Sequence, residues 1–220
     1  MERFCLTKRD VLRVNEDTWI VSFEETIDFL PGQFLMVETP KLVRKPFALG
    51  YWDGRLAISV QIKGVGTNWI VHESKRLKAH GPLGNGFVKS GKGVLLISPT
   101  CVTMAWAFKK HMDVDVIVGS RTPVLLNLGF GTVVGDEAFL EKLREVSRKD
   151  YDWYLVAGSR SMERVCWEEL KGKREVYFSL EEYMACGIGA CKSCVTLTNF
   201  GVRHVCTDGP VFRGEDLCWS

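Results

Sequence analysis

The chain has 220 residues, of which 46% are hydrophobic and 25% charged, with 29 basic against 27 acidic residues. This composition supports a buried core and excludes a disordered tail, a collagen-like fibre and a coiled coil. A net charge of +2 is too even to favour nucleic acid or an acidic membrane as a partner. The longest uncharged run, residues 93–108, is shorter than the roughly 20 apolar residues of a spanning helix. The first residues lack the apolar core of a secretion signal, so we expect a cytoplasmic protein.

The first ninety residues predict short antiparallel strands. Residues 13–23 contain a turn and then a run rich in β-branched and aromatic side chains. Asp53-Gly54 is a typical hairpin tip, and residues 56–62 alternate apolar and polar side chains. Strands so short and so closely spaced predict a small β-barrel or sandwich over residues 1–90.

The pattern changes near residue 91, where buried-strand segments begin to alternate with segments of helical spacing. This alternation predicts a small parallel α/β unit over residues 91–178. The strand segments are 94–97, 114–119 and 151–157, and the helical segments are 102–111, 136–149 and 161–170.

Eight cysteines are many for a cytoplasmic chain, and four of them lie close together near the end. They are Cys186, Cys191, Cys194 and Cys206, with the spacing Cys-x4-Cys-x2-Cys-x11-Cys. The first three match the plant-type ferredoxin pattern, in which a loop presents thiolates to two irons. Residues 195–198 and 202–205, with a turn at 199–201, are predicted to form a hairpin that returns Cys206 to Cys194. Residues 179–220 are therefore predicted to form a [2Fe–2S] domain with these four ligands.

A four-thiolate zinc site is the alternative use of the same cysteines. Such sites usually pair their ligands as two short-spaced knuckles. This chain has one short pair, a four-residue spacer and one distant cysteine, so the spacing favours iron and sulfide. A non-catalytic zinc-binding interaction module stays open as a second class of function.

Three motifs of the first ninety residues resemble the ferredoxin–NADP reductase superfamily. They are Pro-Gly-Gln-Phe at 31–34, Arg-Lys-Pro-Phe-Ala at 44–48 and Gly-Val-Gly-Thr at 64–67, in the order that the superfamily has. Each motif is short, and their order and spacing carry the resemblance. It implies that the predicted strands form a flavin-binding β-barrel and that the α/β unit is of the ferredoxin-reductase type.

Longer motifs at 81–87, 182–191 and 205–212 resemble one family more closely, the electron-transfer subunits of the two-subunit bacterial dihydroorotate dehydrogenase. The resemblance covers nearly the whole chain. It implies an oxidoreductase subunit that carries FAD and a [2Fe–2S] cluster and has no catalytic residues of its own. It also implies an FMN-containing catalytic partner, in a hetero-tetramer of two plus two, that works in pyrimidine biosynthesis. Another flavin and iron–sulfur reductase subunit, of the transhydrogenase or hydrogenase type, is the alternative.

The resemblance also assigns flavin contacts. Three residues depart from the family pattern: Lys45 and Gln61 stand where arginine is usual, and Ala48 stands where the family has serine. Lysine keeps the charge but loses the two-pronged geometry toward phosphate, so we expect weaker FAD binding at a retained site. The implied contacts are Lys45, Pro46, Phe47, Ala48, Ser59, Val60, Gln61, Gly66 and Thr67.

The nicotinamide region departs most from the family. Residues 98–102 read Ser-Pro-Thr-Cys-Val where the family has a glycine-rich turn, and Pro99 removes an N–H donor. Ala157-Gly158-Ser159 stands where the family has Cys-Gly-Pro. We therefore expect NAD to bind poorly or not at all. The electrons would then be exchanged with another acceptor, such as a ferredoxin-like carrier.

Overall fold

The computed structural model describes residues 2–40 and 44–219. In this part of the chain, no helix is long and apolar enough to cross a membrane. A seven-stranded antiparallel sheet forms first, with the order β4-β3-β7-β1-β2-β6-β5. Its strands are β1 (Glu2–Arg13), β2 (Thr18–Phe23), β3 (Phe34–Glu38), β4 (Arg44–Ala48), β5 (Gly50–Trp52), β6 (Arg55–Gln61) and β7 (Arg76–Leu83), with a short helix α1 (Val65–Asn68) after β6.

Local sequence explains the antiparallel pairing. β2 reads Thr-Trp-Ile-Val-Ser-Phe, and β-branched and aromatic side chains favour a half-buried strand. The predicted hairpin joins β5 to β6 through Asp53 and Gly54, whose φ angles are 49° and 74°. Two positive φ angles match the twist of the flanking strands. The sheet curls around its own core, which includes Leu6, Ile58 and Leu77.

A second sheet has the order β10-β9-β8-β11-β12-β15. The first five strands in this order run parallel, and β15 runs antiparallel to β12 at the edge. The helices α2, α3 and α4 follow β8, β10 and β11 in the chain. The elements are β8 (Gly93–Ile97), α2 (Val102–His111), β9 (Val114–Ser120), β10 (Gly131–Val134), α3 (Asp136–Ser147), β11 (Trp153–Ala157), α4 (Arg160–Leu170), β12 (Val176–Ser179) and β15 (Val211–Arg213).

The three strands and three helices predicted for the second sheet are confirmed as β8, β9 and β11 and as α2, α3 and α4. The sequence analysis did not predict β10, β12 and β15. β10 is a short, mostly exposed edge strand, so it lacks the apolar pattern that reveals a buried strand. The strand β15 belongs to the cysteine-rich segment and pairs with β12, so it joins that segment to the second sheet. The fold is a ferredoxin reductase-like pair of sheets with the cysteine-rich segment attached. The boundaries near residues 90 and 178 remain predictions.

The cysteine-rich segment folds into a loop, a hairpin and a short helix. The hairpin pairs β13 (Val195–Thr198) with β14 (Gly201–His204), as the sequence predicts, and α5 (Val205–Asp208) follows. The return strand β14 brings Cys206 back toward Cys194, since the N–H of Val205 donates to the carbonyl of Cys194 at 2.8 Å.

The buried core is continuous between the two sheets and the cysteine-rich segment. Phe34, Met36 and Leu83 of the first sheet belong to the same buried cluster as Cys194 and Cys206. The cysteine loop is therefore held against the flavin-type sheet by apolar packing, which is the dominant favourable contribution to folding.

Candidate functional site

The cysteine loop begins after β12 and uses two glycines to turn. Gly187 and Gly189 have φ angles of 73° and 80°, a backbone conformation that side chains with a Cβ rarely adopt. A Cβ at Gly187 would also lie 2.6 Å from Cγ of Met36 on β3. The loop can therefore sit tightly against the first sheet only with glycine at this position.

Backbone amides of the same loop point at the cysteine sulfurs. The N–H groups of Ile188 and Cys191 donate to Sγ of Cys186 at 3.4 and 3.3 Å. The N–H of Cys206 donates to Sγ of Cys194 at 3.4 Å. Such donors stabilise anionic sulfur, which is the form that ligates iron. This cradle fits an iron–sulfur cluster.

The four thiols interact in two pairs. The Cys186 and Cys191 side chains contact each other, and so do those of Cys194 and Cys206, while Cys206 also lies in the field of Cys186. Within the described residues, no group of three or more His, Cys, Asp or Glu side chains converges on one ion. The two pairs match a two-iron cluster, whose four cysteine ligands are shared between two irons.

The thiols differ in how easily they ionise. The Ser193 hydroxyl and the neighbouring Cys186 lower the pKa of Cys191 to about 6, so this exposed thiol is a thiolate at neutral pH. Burial, with Cys194 alongside, raises the pKa of Cys206 to about 11. Ligation of Cys206 therefore requires the release of a proton to solvent.

His80 is a residue of this site that the sequence analysis missed. It lies on β7, is 6% exposed, and its Nε2 is 3.3 Å from the carbonyl oxygen of Cys186. The two residues are 106 positions apart in the chain, so no local motif could have revealed the contact. His204, which lies near the cysteines in sequence, instead pairs with Asp208 through its backbone N–H at 2.6 Å.

Two of the implied flavin elements of the first sheet lie side by side. A Cβ at Gly66 would be 3.0 Å from Cε of Lys45 and 3.2 Å from Oγ1 of Thr39. The structure thus brings the lysine of β4 next to the glycine-rich loop. Oγ1 of Thr67 accepts the N–H of Lys63 at 2.9 Å and fixes the turn of this loop.

The remaining implied flavin contacts lie on β4 and β6. Pro46, Phe47 and Ala48 are half-buried on β4, which is an edge strand of its sheet. The side chains of β6 are engaged within the chain. Ser59 shares a hydrogen bond of 3.1 Å with Thr103 of α2, Val60 is fully buried, and Gln61 donates to Asp17.

The carboxyl edge of the parallel sheet does not fit a dinucleotide. Pro99 opens the turn after β8, and the side chains of Ser98 and Thr100 bond to each other at 2.6 Å. A pyrophosphate needs free N–H donors and close approach of the backbone here. At the end of β11, the space beside Gly158 is filled, since a Cβ there would lie 2.7 Å from Sδ of Met162.

Carboxylates crowd the same edge. Glu163 on α4 is 1% exposed, its Oε1 has no hydrogen-bond partner among the described residues, and burial raises its pKa to about 7. Thr100 donates to Glu181 at 3.5 Å, and burial raises the pKa of that carboxyl as well. Glu182 pairs with Arg160. Arg160 also pairs with Glu163, so its guanidinium group is already engaged by two carboxyl groups and is not free for a phosphate of NAD.

Glu163 should make stability depend on pH. Its folded pKa of about 7 exceeds the ordinary value of 4.5, so the folded state binds the extra proton and loses stability as pH rises from about 4.5 to 7. Between pH 5 and pH 8, the free energy of unfolding of the native protein should fall by about 2–3 kcal/mol more than that of Glu163→Gln. Thermal melts at both pH values measure this difference. Glu137→Gln, at an exposed position of α3, is the control. Equal pH slopes for the native protein and Glu163→Gln would contradict the assignment.

Comparison with known proteins shows which family the chain resembles. Residues 181–218 match the family model of the iron-sulfur cluster binding domain of dihydroorotate dehydrogenase B. A dihydroorotate dehydrogenase B (NAD(+)) electron transfer subunit of Thermotoga petrophila is 70% identical over the full length of both chains. The corresponding protein of Thermococcus kodakarensis is 32% identical and matches 96% of this chain and 97% of its own.

Solved structures share the fold. An NADH-dependent reduced ferredoxin-NADP oxidoreductase, studied for flavin-based electron bifurcation, superposes with a TM-score of 0.82 at 21% identity, covering 97% of this chain and 90% of its own. The ferredoxin reductase of carbazole 1,9a-dioxygenase has a TM-score of 0.61 at 20% identity, with coverages of 78% and 62%.

The fold and the cysteine cradle define a flavin reductase that also holds an iron–sulfur cluster. More specifically, the chain belongs to the family of dihydroorotate dehydrogenase B electron transfer subunits.

Proposed function

We propose that this chain is the electron-transfer subunit of a dihydroorotate dehydrogenase. It relays electrons between the FMN of a catalytic subunit and an external acceptor, in de novo pyrimidine biosynthesis. The observation that carries this proposal is the paired set of four cysteines packed against a flavin-type sheet. Family membership favours it over a transhydrogenase or hydrogenase subunit and over a zinc-binding module.

Each cofactor has its own part of the chain in this proposal. Residues 1–90 form the flavin-binding barrel, residues 91–178 the α/β domain and residues 179–220 the cluster domain. When bound, FAD supplies the conversion between paired and single electrons, which a one-electron cluster cannot perform. The cysteine pairs hold the iron, and the amides of the loop stabilise the anionic sulfur.

The flavin phosphates would lie at Lys45 and the loop of Gly66 and Thr67. The ammonium group of Lys45 supplies the positive charge, and the missing Cβ of Gly66 leaves room for the phosphates beside it. Ala48 lacks a hydroxyl, and the Gln61 amide is bound to Asp17. Neither side chain replaces the group that the family usually has, so FAD should be held less tightly than in family members with arginine and serine.

Gly66→Leu should weaken FAD binding at least about tenfold, because the new side chain occupies the space beside Lys45. Flavin absorbance after gel filtration and titration with FAD measure the change. Val65→Leu is the control, because Val65 is the adjacent residue and is 71% exposed. Equal flavin content in both variants would show that the phosphates lie elsewhere.

The hairpin of β13 and β14 is the proposed contact with the catalytic subunit. On β13 the apolar Val195 and Leu197 face outward, whereas Thr196 and Thr198 are buried, the reverse of a solvated hairpin. Phe200, at the tip, is 70% exposed. Apolar patches of this kind mark interfaces. This face lies directly after Cys194, so the partner would cover the cluster, in an assembly of two copies of each subunit.

The external acceptor is proposed to be a protein carrier of the ferredoxin type, although the names of the relatives carry NAD(+). The support lies at the carboxyl edge of the parallel sheet. Pro99 removes an N–H donor there, and Arg160 is already paired with Glu163 and Glu182. These residues oppose the binding of a dinucleotide and leave the flavin to exchange electrons with another protein.

Anaerobic titration of the complete two-subunit complex tests this function. Dihydroorotate should bleach the flavins and reduce the cluster. NADH at concentrations up to about 1 mM should leave both oxidised, whereas reduced ferredoxin should reduce them. Rapid bleaching at micromolar NADH would overturn the choice of acceptor. No reduction of the cluster by dihydroorotate would overturn the proposed function.

A further inference from the structure

A groove of about 680 Å³ lies between the two sheets, on a part of the molecule that the proposed function does not use. Its walls are the tip of the β5–β6 hairpin, the second half of α2 and the loop before β10. The seven residues of β6 run from this groove to the implied flavin contacts, a span of about 20 Å. The principal lining residues are Tyr51, Trp52, Asp53, Trp106, Lys109 and Lys110.

Aromatic side chains form the walls of the groove, and other rings hold two of them in place. Trp106 packs on Phe130 with ring centroids 4.7 Å apart, and Tyr51 stacks on Phe29 at 5.0 Å. Trp52 comes from the opposite element, the hairpin. The volume lies within the range of small-molecule sites, and flat rings on two sides suit a planar ligand.

Two adjacent lysines give the groove its charge. The ammonium group of Lys110 lies 4.3 Å from the ring centroid of Tyr51, and that of Lys109 lies 5.8 Å from that of Phe130. Among the residues that the structure describes, neither lysine forms a salt bridge with a carboxylate. Asp53 is the only carboxylate among the residues lining the groove. Both lysines are thus exposed at the groove, each beside an aromatic ring, and neither is neutralised by a carboxylate within the described residues.

Asn127 adds a polar side chain to the groove. Its Oδ1 accepts the N–H of Gly129 at 3.0 Å, which directs the carboxamide N–H groups away from that bond. These N–H groups can donate to a ligand in the groove.

We propose that this groove binds a nucleoside phosphate, separately from the FAD. The base would stack between Trp52 and Trp106, and the phosphate would pair with Lys109 and Lys110. Asp53 would accept hydrogen bonds from the ribose hydroxyls, as acidic residues do in dinucleotide sites. Inorganic phosphate alone would leave the aromatic walls unused, and an unphosphorylated nucleoside would leave the lysines unpaired. Because the ligand bridges the hairpin and α2, its binding stabilises the junction of the two sheets.

Calorimetric titration of the FAD-saturated complex with UMP and with AMP tests the proposal. At least one of them should bind with a dissociation constant on the order of 10–100 µM, and uridine, adenosine and pyrophosphate should bind at least about tenfold more weakly. The double variant Lys109→Ala/Lys110→Ala and the single variant Trp52→Leu should each weaken binding at least about tenfold. Lys142→Ala, on α3 and outside the groove, is the control and should bind as the native protein does.

Flavin absorbance and thermal melts of every variant, recorded in parallel, show that the fold and the FAD site are intact. No binding heat from UMP or AMP at concentrations up to about 5 mM would overturn the proposal. Unchanged affinity in the double lysine variant would also overturn it, as would nucleotide binding that displaces FAD. These outcomes are distinct from failure of the proposed function, which concerns reduction by dihydroorotate.

Discussion

Replacing Cys191 by serine should remove the cluster while leaving the fold in place. Cys191 is exposed, so the substitution disturbs no core packing, yet it takes away a thiolate that is already ionised at neutral pH. Iron should fall from about two atoms per chain to less than about 0.2, since each cysteine supplies one of only four ligands. Electron transfer from the catalytic subunit to the external acceptor should fall by at least about a hundredfold. Iron analysis and visible absorbance measure the first effect, and steady-state kinetics the second.

Cys218→Ser is the matched control for this experiment. Cys218 is also exposed, lies in the same C-terminal segment, and is placed 3.9 Å from Oδ1 of Asn199 rather than among the four paired thiols. It should keep its iron and its activity. Equal iron content in the two variants would contradict the assignment of Cys191 as a ligand.

Charge on the β13–β14 hairpin should prevent assembly with the catalytic subunit. The double variant Leu197→Glu/Phe200→Glu places two carboxylates on side chains that are 57% and 70% exposed, so folding costs little. If both are central contacts, affinity for the catalytic subunit should fall at least about a hundredfold. Gel filtration with light scattering, and titration of one subunit with the other, measure the loss.

The variant must keep its iron and its flavin for this result to count. Val88→Glu is the control, because Val88 is also exposed, at 57%. It belongs to the segment that connects β7 to β8, away from the hairpin in sequence. It should assemble normally. Normal assembly of the hairpin variant would show that the partner binds another face, and the exposed apolar side chains would then need a different explanation.

The sequence predicted much of this architecture because its signals are local. A turn signal such as Asp53-Gly54 and a buried strand such as 94–97 depend on neighbouring residues, and both are confirmed. The strand-like residues on either side of the turn at 199–201 predicted a hairpin that returns Cys206 to Cys194, and this too is confirmed. Each of these features arises within about 20 residues of chain.

Features that depend on distant contacts could not be predicted in this way. His80 and Met36 press on the cysteine loop from strands that lie more than a hundred residues earlier in the chain. The same limit applies to β15, which leaves the cysteine-rich segment and pairs with β12 of the α/β sheet. Ser59 was expected to contact flavin, and its bond to Thr103 of α2 depends on how the two sheets meet.

These distant contacts have a functional consequence. The loop that holds Cys186 rests on β3 and β7, and β3 also pairs with β4, the strand that carries several of the implied flavin contacts. Shared packing of this kind fixes the separation of two redox sites, because close-packed side chains leave little room for relative movement. The chain therefore orients both proposed cofactors through one rigid sheet.

Iron and acid-labile sulfide analysis of anaerobically purified protein tests the central claim most directly, together with EPR of the reduced sample. We predict about two irons and two sulfides per chain, little zinc, and the rhombic signal of a reduced [2Fe–2S] cluster. One zinc ion per chain with no labile sulfide would contradict the account, because the paired thiols would then serve a structural metal and could not carry electrons.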